Sequence, residues 1–326
     1  MRSHFVIFEY IIARLMLISL LATSPQALAD VTQLSGGMDA RSLSQSPLWG
    51  AGEEGTNLHG SFLNIRHVIS DDKGDRYVLV AQLDANDNLS ELEPYQFYIQ
   101  RKGSLGGTNL QFGRYILPFG LLAYLDTERQ LLQTNESIAL GIKLDTGIQL
   151  SGFINDLNYA FSISQGVNKS DGSAKDMDNN KLLVARIGLQ QEESRWGLSY
   201  LNGRIDTDND EFYQQGNIDR QRLTMDAEID LLPWMLRLQL DSGKDDKQSV
   251  SGALILADYD FNAHWALNSK ASVWNDTDKF TEYAIGFSYR LPKDFVLRAS
   301  QSWQKLNNVN EQILSIQLYW DFSYAL

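Results

Sequence analysis

The sequence predicts an all-β fold, a transmembrane antiparallel up-and-down β-barrel of about 16 strands, with 14 as the lower count. Three observations carry that expectation. Residues 313–326, ILSIQLYWDFSYAL, alternate with period two: Leu314, Ile316, Leu318, Trp320, Phe322, Tyr324 and Leu326 on one face, with Ser315, Gln317, Tyr319, Asp321 and Ser323 between them. So long and aromatic a face suits lipid on one side and a polar lumen on the other. The same design repeats along the chain, and its connections differ in length: residues 121–137, 170–180 and 207–219 are long and polar, whereas 155–158, 192–194, 232–234, 262–264 and 292–294 are short.

The totals agree. Hydrophobic residues make up 43% of 326 residues and mean hydropathy is -0.28, too polar for a bundle of membrane helices but normal for a barrel that alternates its apolar residues. The absence of cysteine rules out a lipid-anchored N-terminus, CxxCH haem attachment, Cys-based zinc or iron–sulfur sites and disulfides. No cofactor or metal is expected. The formal charge is -13, which repels nucleic acid.

Residues 1–29 have the form of a secretory signal peptide: Arg14 precedes the apolar run 15–22, and Ala27-Leu28-Ala29 offers a small-x-small cleavage site before Asp30. The domain organisation is then 1–29 signal peptide and 30–326 barrel. Removing Arg2, Arg14 and Glu9 leaves the mature chain near -14. Export and alternation together place the chain in the outer membrane of a Gram-negative cell.

In chain order, residues 34–43 form a weak first strand and 44–57, with Pro47, a loop. Residues 61–69 and 77–83 form a hairpin around DDKGD, with Tyr77, Leu79, Ala81 and Leu83 on one face. In 95–102, Tyr95, Phe97 and Ile99 oppose Gln96, Tyr98, Gln100 and Lys102, and the chain returns as 110–119. If Leu110 and Phe112 of that return strand face lipid, so does Arg114, which is costly; a bulge or the opposite register is expected there. Residues 138–152 set Ile138, Leu140, Ile142, Leu144, Ile148 and Leu150 against Lys143, Asp145, Gln149 and Ser151. Residues 159–165, 181–190 and 195–202 follow, then 222–231, where Leu223, Met225, Ala227, Ile229 and Leu231 face away from Arg222, Thr224, Asp226, Glu228 and Asp230. Carboxylates in such a row need water behind them. Residues 234–241, 250–261, 265–274, 280–291 and 295–303 complete the meander. Trp196, Trp234, Trp265, Trp274, Trp303 and Trp320 lie near strand ends, as an interfacial belt requires.

Residues 113–120, GRYILPFG, resemble the GR…PFG segment of phosphate-selective porin O/P-type outer-membrane proteins, and the order of hairpin, GR…PFG, long loop and Tyr-rich strand over residues 60–170 is similar too. The resemblance implies a third loop folded into the pore, here residues 121–137, and a basic lumen passing phosphate. The inward set is mixed instead, with Arg66, Lys102, Arg114, Lys143, Arg186, Arg237, Arg290 and Arg298 beside Asp145, Asp226, Glu228, Asp230, Asp241 and Glu282. In the loop, Leu121, Leu122, Leu125, Leu131 and Leu132 accompany Asp126, Glu128 and Arg129, which become constriction candidates if it folds inward; an ordinary external loop is the alternative.

Asp206, Asp208 and Asp210 are spaced as a calcium loop begins, but Glu211 stands where the turn glycine belongs, so a solvated acidic loop is expected. No catalytic frame surrounds His59, His67 or His264, and no enzyme activity is expected; His67 with Ser61 or Ser70 is the one pairing that hydrolysis could use. The expectation is an outer-membrane porin for passive diffusion of small polar or ionic solutes, weakly cation-preferring because Asp226, Glu228 and Asp230 face a single Arg222. A phosphate- or anion-selective porin and a structural sheath for an exported protein are the alternatives. Expected partners are outer-membrane lipid and lipopolysaccharide and the barrel-assembly machinery through the C-terminal strand; monomer and homotrimer are both open.

Overall fold

The computed structural model describes residues 30–48, 54–72, 74–86, 91–103, 107–121, 132, 142–166, 181–206 and 217–326. The signal-peptide expectation for 1–29 lies outside them. Sixteen strands close into one antiparallel ring in which β1 pairs with β16 and each other strand pairs with its neighbours in sequence. They are β1 (Val31–Leu43), β2 (Gly55–Asp71), β3 (Gly74–Asn86), β4 (Glu91–Arg101), β5 (Asn109–Ile116), β6 (Leu144–Ile154), β7 (Leu157–Ser164) and β8 (Leu182–Gln190). β9 (Ser194–Asp206), β10 (Asn217–Leu231), β11 (Trp234–Asp245), β12 (Gln248–Asp260), β13 (Trp265–Asn275), β14 (Lys279–Arg290), β15 (Phe295–Leu306) and β16 (Val309–Ala325) complete it. The weak first strand is therefore real, and it closes the barrel against the terminal one.

Alternation decides which face of each strand meets which medium. On β14, Phe280, Glu282, Ala284 and Ser288 are buried inside while Tyr283, Ile285 and Phe287 are 62%, 41% and 47% exposed on the outside. On β16, Leu314, Ile316 and Leu318 are exposed and Gln317 and Tyr319 are buried. β10 follows its expected parity, with Leu223 and Met225 outside and Arg222, Thr224 and Asp226 inside. A continuous exposed apolar surface on a closed barrel is the signature of a wall wetted by lipid.

Several local expectations are corrected. The strand expected at 138–152 begins only at Leu144, with Ile142 and Leu144 buried instead of outward. The strand expected at 110–119 stops at Ile116, after which the chain leaves the wall. Trp274 is 3% exposed and faces inward on β13, so it is no part of an outer belt; Trp196, Trp234, Trp265 and Trp303 are exposed outside. The difference in connection length also lapses after β10. The rim opposite the chain ends carries tight turns at 246–247, 276–278 and 307–308 between the last three strand pairs there.

Candidate functional site

The site is the lumen, and the segment that leaves β5 shapes it. Leu117 N–H donates to the Lys143 carbonyl at 2.9 Å and Phe119 N–H to the Leu117 carbonyl at 2.8 Å, which turns the chain sharply away from the wall. Gly120 has φ 62, a left-handed conformation that favours glycine, and a Cβ there would also stand 2.6 Å from Gln239 Oε1. Two polar anchors follow: Gly120 N–H donates to Ser199 Oγ of β9 at 3.1 Å, and Leu121 N–H to Gln239 Oε1 of β11 at 3.0 Å.

Apolar seats on the inner wall complete the attachment. Leu117, Phe119 and Ile142 cluster with Tyr115 and with Leu182, Val184, Leu201, Ile205 and Ile218 from β8, β9 and β10. Leu121 joins Val250, Leu254, Leu256, Trp274 and Phe280 of β12, β13 and β14, and Leu132 joins Ala284 of β14. In the ring of sixteen, β13 stands directly across from β5. Residues 117–121 thus fold inward, and the inner surface of β8–β14 is apolar where they sit because it buries them. Asp126, Glu128 and Arg129 lie outside the described residues, as do Asp208, Asp210 and Glu211 of the acidic loop.

Below this strap the inner wall of β8–β14 is a charge-paired lattice. Arg186 binds Asp226 through two bonds, 2.5 and 2.6 Å, and also donates to Ser199 Oγ at 3.0 Å. Glu228 is shared by Arg195 and by Arg237, the latter at 2.9 Å. Arg237 reaches on to Asp258 at 2.6 Å, whose other oxygen accepts from Asn268 at 2.6 Å, and Asn268 accepts from Ser288 at 2.8 Å. Lys270 pairs with Glu282 at 2.5 Å, to which Gln304 also donates at 3.3 Å. Nearer the strap, Arg220 and Arg222 both bind Asp245, at 2.9 and 2.8 Å, and Arg222 lies over the Trp274 ring. Each pair joins neighbouring or next-neighbouring strands, which no single strand's pattern reveals.

Among the expected pore residues, the structure places Arg66, Asp226, Glu228, Arg237 and Glu282 on the inward face. Asp230 shares the parity of Asp226 and Glu228 at the turn end of β10. Three others are corrected: Lys102, Lys143 and Asp145. Lys102 lies past the end of β4, in the turn to β5, its N–H bonded to the Arg76 carbonyl. Lys143 precedes β6, with its ammonium 5.9 Å from the centre of the Tyr95 ring. Asp145 is fully buried and accepts from the Thr146 and Gly166 N–H groups at 2.7 and 2.6 Å, fastening the chain after β7 to β6. Arg114 pairs with Phe97 and Thr146 without a register shift, and its side chain is half-buried. Gly113, at φ 129, supplies the local irregularity, and the Arg114 Nε–H turns back to the Tyr95 carbonyl at 3.2 Å. His67 bonds to Thr32 Oγ1 at 2.9 Å on the outward parity, and neither Ser61 nor Ser70 is its partner.

The chain is a sixteen-stranded barrel with the porin fold. Its structure is similar to an anion-selective porin from Comamonas acidovorans, at 12% identity, 91% of this chain, 100% of that one and TM-score 0.64. It is also similar to OmpT, an outer membrane protein of Vibrio cholerae in trimer form, at 8% identity, 90% and 100% coverage and TM-score 0.67. A third likeness is to Salmonella typhi OmpF in complex with daunomycin, at 9% identity, 89% and 97% coverage and TM-score 0.64. No family model and no curated protein sequence matches the chain. At these identities the likeness is one of fold.

Proposed function

We propose that this protein is an outer-membrane porin that lets small polar or ionic solutes diffuse through its lumen. The observation that carries the reading is a closed sixteen-stranded wall, apolar outside and polar inside, narrowed by a strap from β5. A barrel of this size encloses an aqueous channel, and a segment crossing it sets a size limit for solutes. The strap disfavours the sheath alternative, which needs an unobstructed lumen. The cation preference expected from Asp226, Glu228 and Asp230 is weakened, because arginines of β8, β9 and β11 compensate Asp226 and Glu228, which leaves Asp230 as the one of the three with no ion pair among the described residues.

The remaining proposals follow from the same reading. Residues 1–29 direct export, the exposed apolar belt takes lipid and lipopolysaccharide, and the aromatic end of β16 is recognised by the assembly machinery. A homotrimer is supported by the trimeric form of the Vibrio cholerae neighbour. The rim carrying the chain ends faces the periplasm. Purified protein added to planar bilayers should give stepwise conductance increments, and it should fractionate with outer membranes with Asp30 as its first residue. Absence of discrete channels from protein that is folded by heat-modifiability would overturn the porin reading.

A further inference from the structure

We infer that the outer face of β9–β11, at the rim opposite the chain ends, is a docking site for the phosphorylated sugar headgroup of lipopolysaccharide, an inference that rests on the porin reading above. On these three strands the apolar belt ends at Tyr200, Leu223 and Leu240, all exposed. Beyond it, Gln221 of β10 pairs with Asn202 of β9 and Lys244 of β11, and one row nearer the rim Asp219 pairs with Arg204. These side chains keep the outward parity, because Arg220 and Arg222 of β10 alternate with Asp219 and Gln221 and are buried inside. With Asp246 they line a polar recess of about 290 Å³. Lys181, whose carbonyl accepts from the Arg204 N–H at 3.2 Å, is exposed beside it. The opposite end of the same outer face carries Trp196, Leu231 and Trp234, exposed and apolar, which suits an ordinary phospholipid interface. One set of strands therefore has an aromatic rim and a basic, hydrogen-bonding rim, a difference that two leaflets of unlike headgroup call for.

The chemistry of the recess selects the occupant. Arg204 and Lys244 are exposed and make no ion pair or side-chain hydrogen bond among the described residues, although Asp219 stands opposite Arg204 in register. Both cations are open to phosphate, and the planar fork of Arg204 suits two of its oxygens. The two acids are clasped to each other by the backbone: Asp219 N–H donates to Asp246 Oδ1 at 3.0 Å, and Asp246 N–H to the Asp219 carbonyl at 2.7 Å. Carboxylates repel a phosphate but accept from hydroxyls, and the Asn202 and Gln221 amides both donate and accept. A phosphorylated sugar supplies phosphates for the cations and hydroxyls for the acids and amides. Its acyl chains then continue down the wall over Leu223 and Leu240. A simple anionic phospholipid brings the phosphate without the array of hydroxyls, so it leaves the acids facing a like charge.

The test titrates lipopolysaccharide into the purified protein in detergent and reads bound lipid by native mass spectrometry, with dephosphorylated lipopolysaccharide and phosphatidylglycerol as separate arms. The wild type should bind lipopolysaccharide in preference to either. Binding should fall about fivefold or more in a variant carrying both Arg204→Gln and Lys244→Gln, about what two exposed charge pairs contribute. Arg101→Gln, on β4 at the opposite rim, should leave binding unchanged. The lipid-free double variant should keep the wild-type heat-modifiability midpoint, because both side chains are exposed, and this separates lost binding from lost fold. Phosphatidylglycerol bound as tightly as lipopolysaccharide, an equal loss on Arg101→Gln, or a double variant that binds as the wild type does would each overturn the site. A wild type that forms channels without binding lipopolysaccharide overturns this inference alone, whereas a wild type without channels overturns the porin reading itself.

Discussion

The two sides of the lumen solve the problem of inward-facing charge differently. From β8 to β14 carboxylates and cations interlock across strands, and the wall above them is apolar to seat residues 117–121. From β2 to β4 the inward face carries the amides Gln82 and Gln96, the carboxylates Asp84 and Glu93, and Arg66, which has no salt bridge among the described residues. The first side is built to hold a shape. A paired charge costs much to orphan and contributes little to the field in the channel, while an unpaired one does the reverse.

That contrast can be broken most severely at the Arg186–Asp226 pair. Arg186→Met leaves Asp226, whose side chain is 2% exposed, without its bidentate partner, and should cost about 3 to 5 kcal/mol, visible as a lower heat-modifiability midpoint in detergent. The companion Arg66→Met should change that midpoint little, within about 0.5 kcal/mol; equal losses at both sites would erase the distinction. Next in size is the outer face, where Met225→Arg should hinder assembly by about 2 to 4 kcal/mol, because Met225 is 58% exposed to the expected lipid. Normal folding yields of that variant in bilayers would place β10 the other way round.

The strap gives an intermediate effect. Leu121→Ala empties part of the seat formed with Val250, Leu254, Leu256, Trp274 and Phe280 and should cost about 2 to 3 kcal/mol. Single-channel conductance should rise and fluctuate as the strap loosens; an unchanged, steady conductance would mean the seat does not hold it. Smallest is Glu228→Gln. Arg195 and Arg237 share Glu228, and losing it should free positive charge and shift reversal potential toward chloride by a few millivolts, about what a partly screened single charge delivers. A shift toward potassium would show that Glu228 acts on solutes despite its partners.

Much of the fold was legible in the residues because a barrel's period of two is a local property. Leu223 and Met225 against Arg222 and Asp226, or Leu314 and Ile316 against Gln317, declare their faces without help from distant strands. Legibility failed where the chain left the wall. Ile142 and Leu144 continue an apolar alternation in sequence, yet they are buried near the root of the strap, Ile142 in the cluster around it. Trp274 looked like a belt residue because it sits near a strand end, but its parity with Lys270 and Ser272 points it inward, where Leu121 and Phe280 share its cluster. Asp145 read as a pore charge and is instead a clasp for the chain after β7.

The sequence by itself determined a barrel of 14 to 16 strands, the two faces of the wall and the inward parity of Arg66, Asp226, Glu228, Arg237 and Glu282, since each depends on residues two apart along one strand. Only the tertiary structure decided which of those charges are free. Pairing joins residues tens of positions apart, such as Arg186 and Asp226, through closure and register. The same holds for the strap, whose seat on β12–β14 exists only because the ring sets those strands opposite β5.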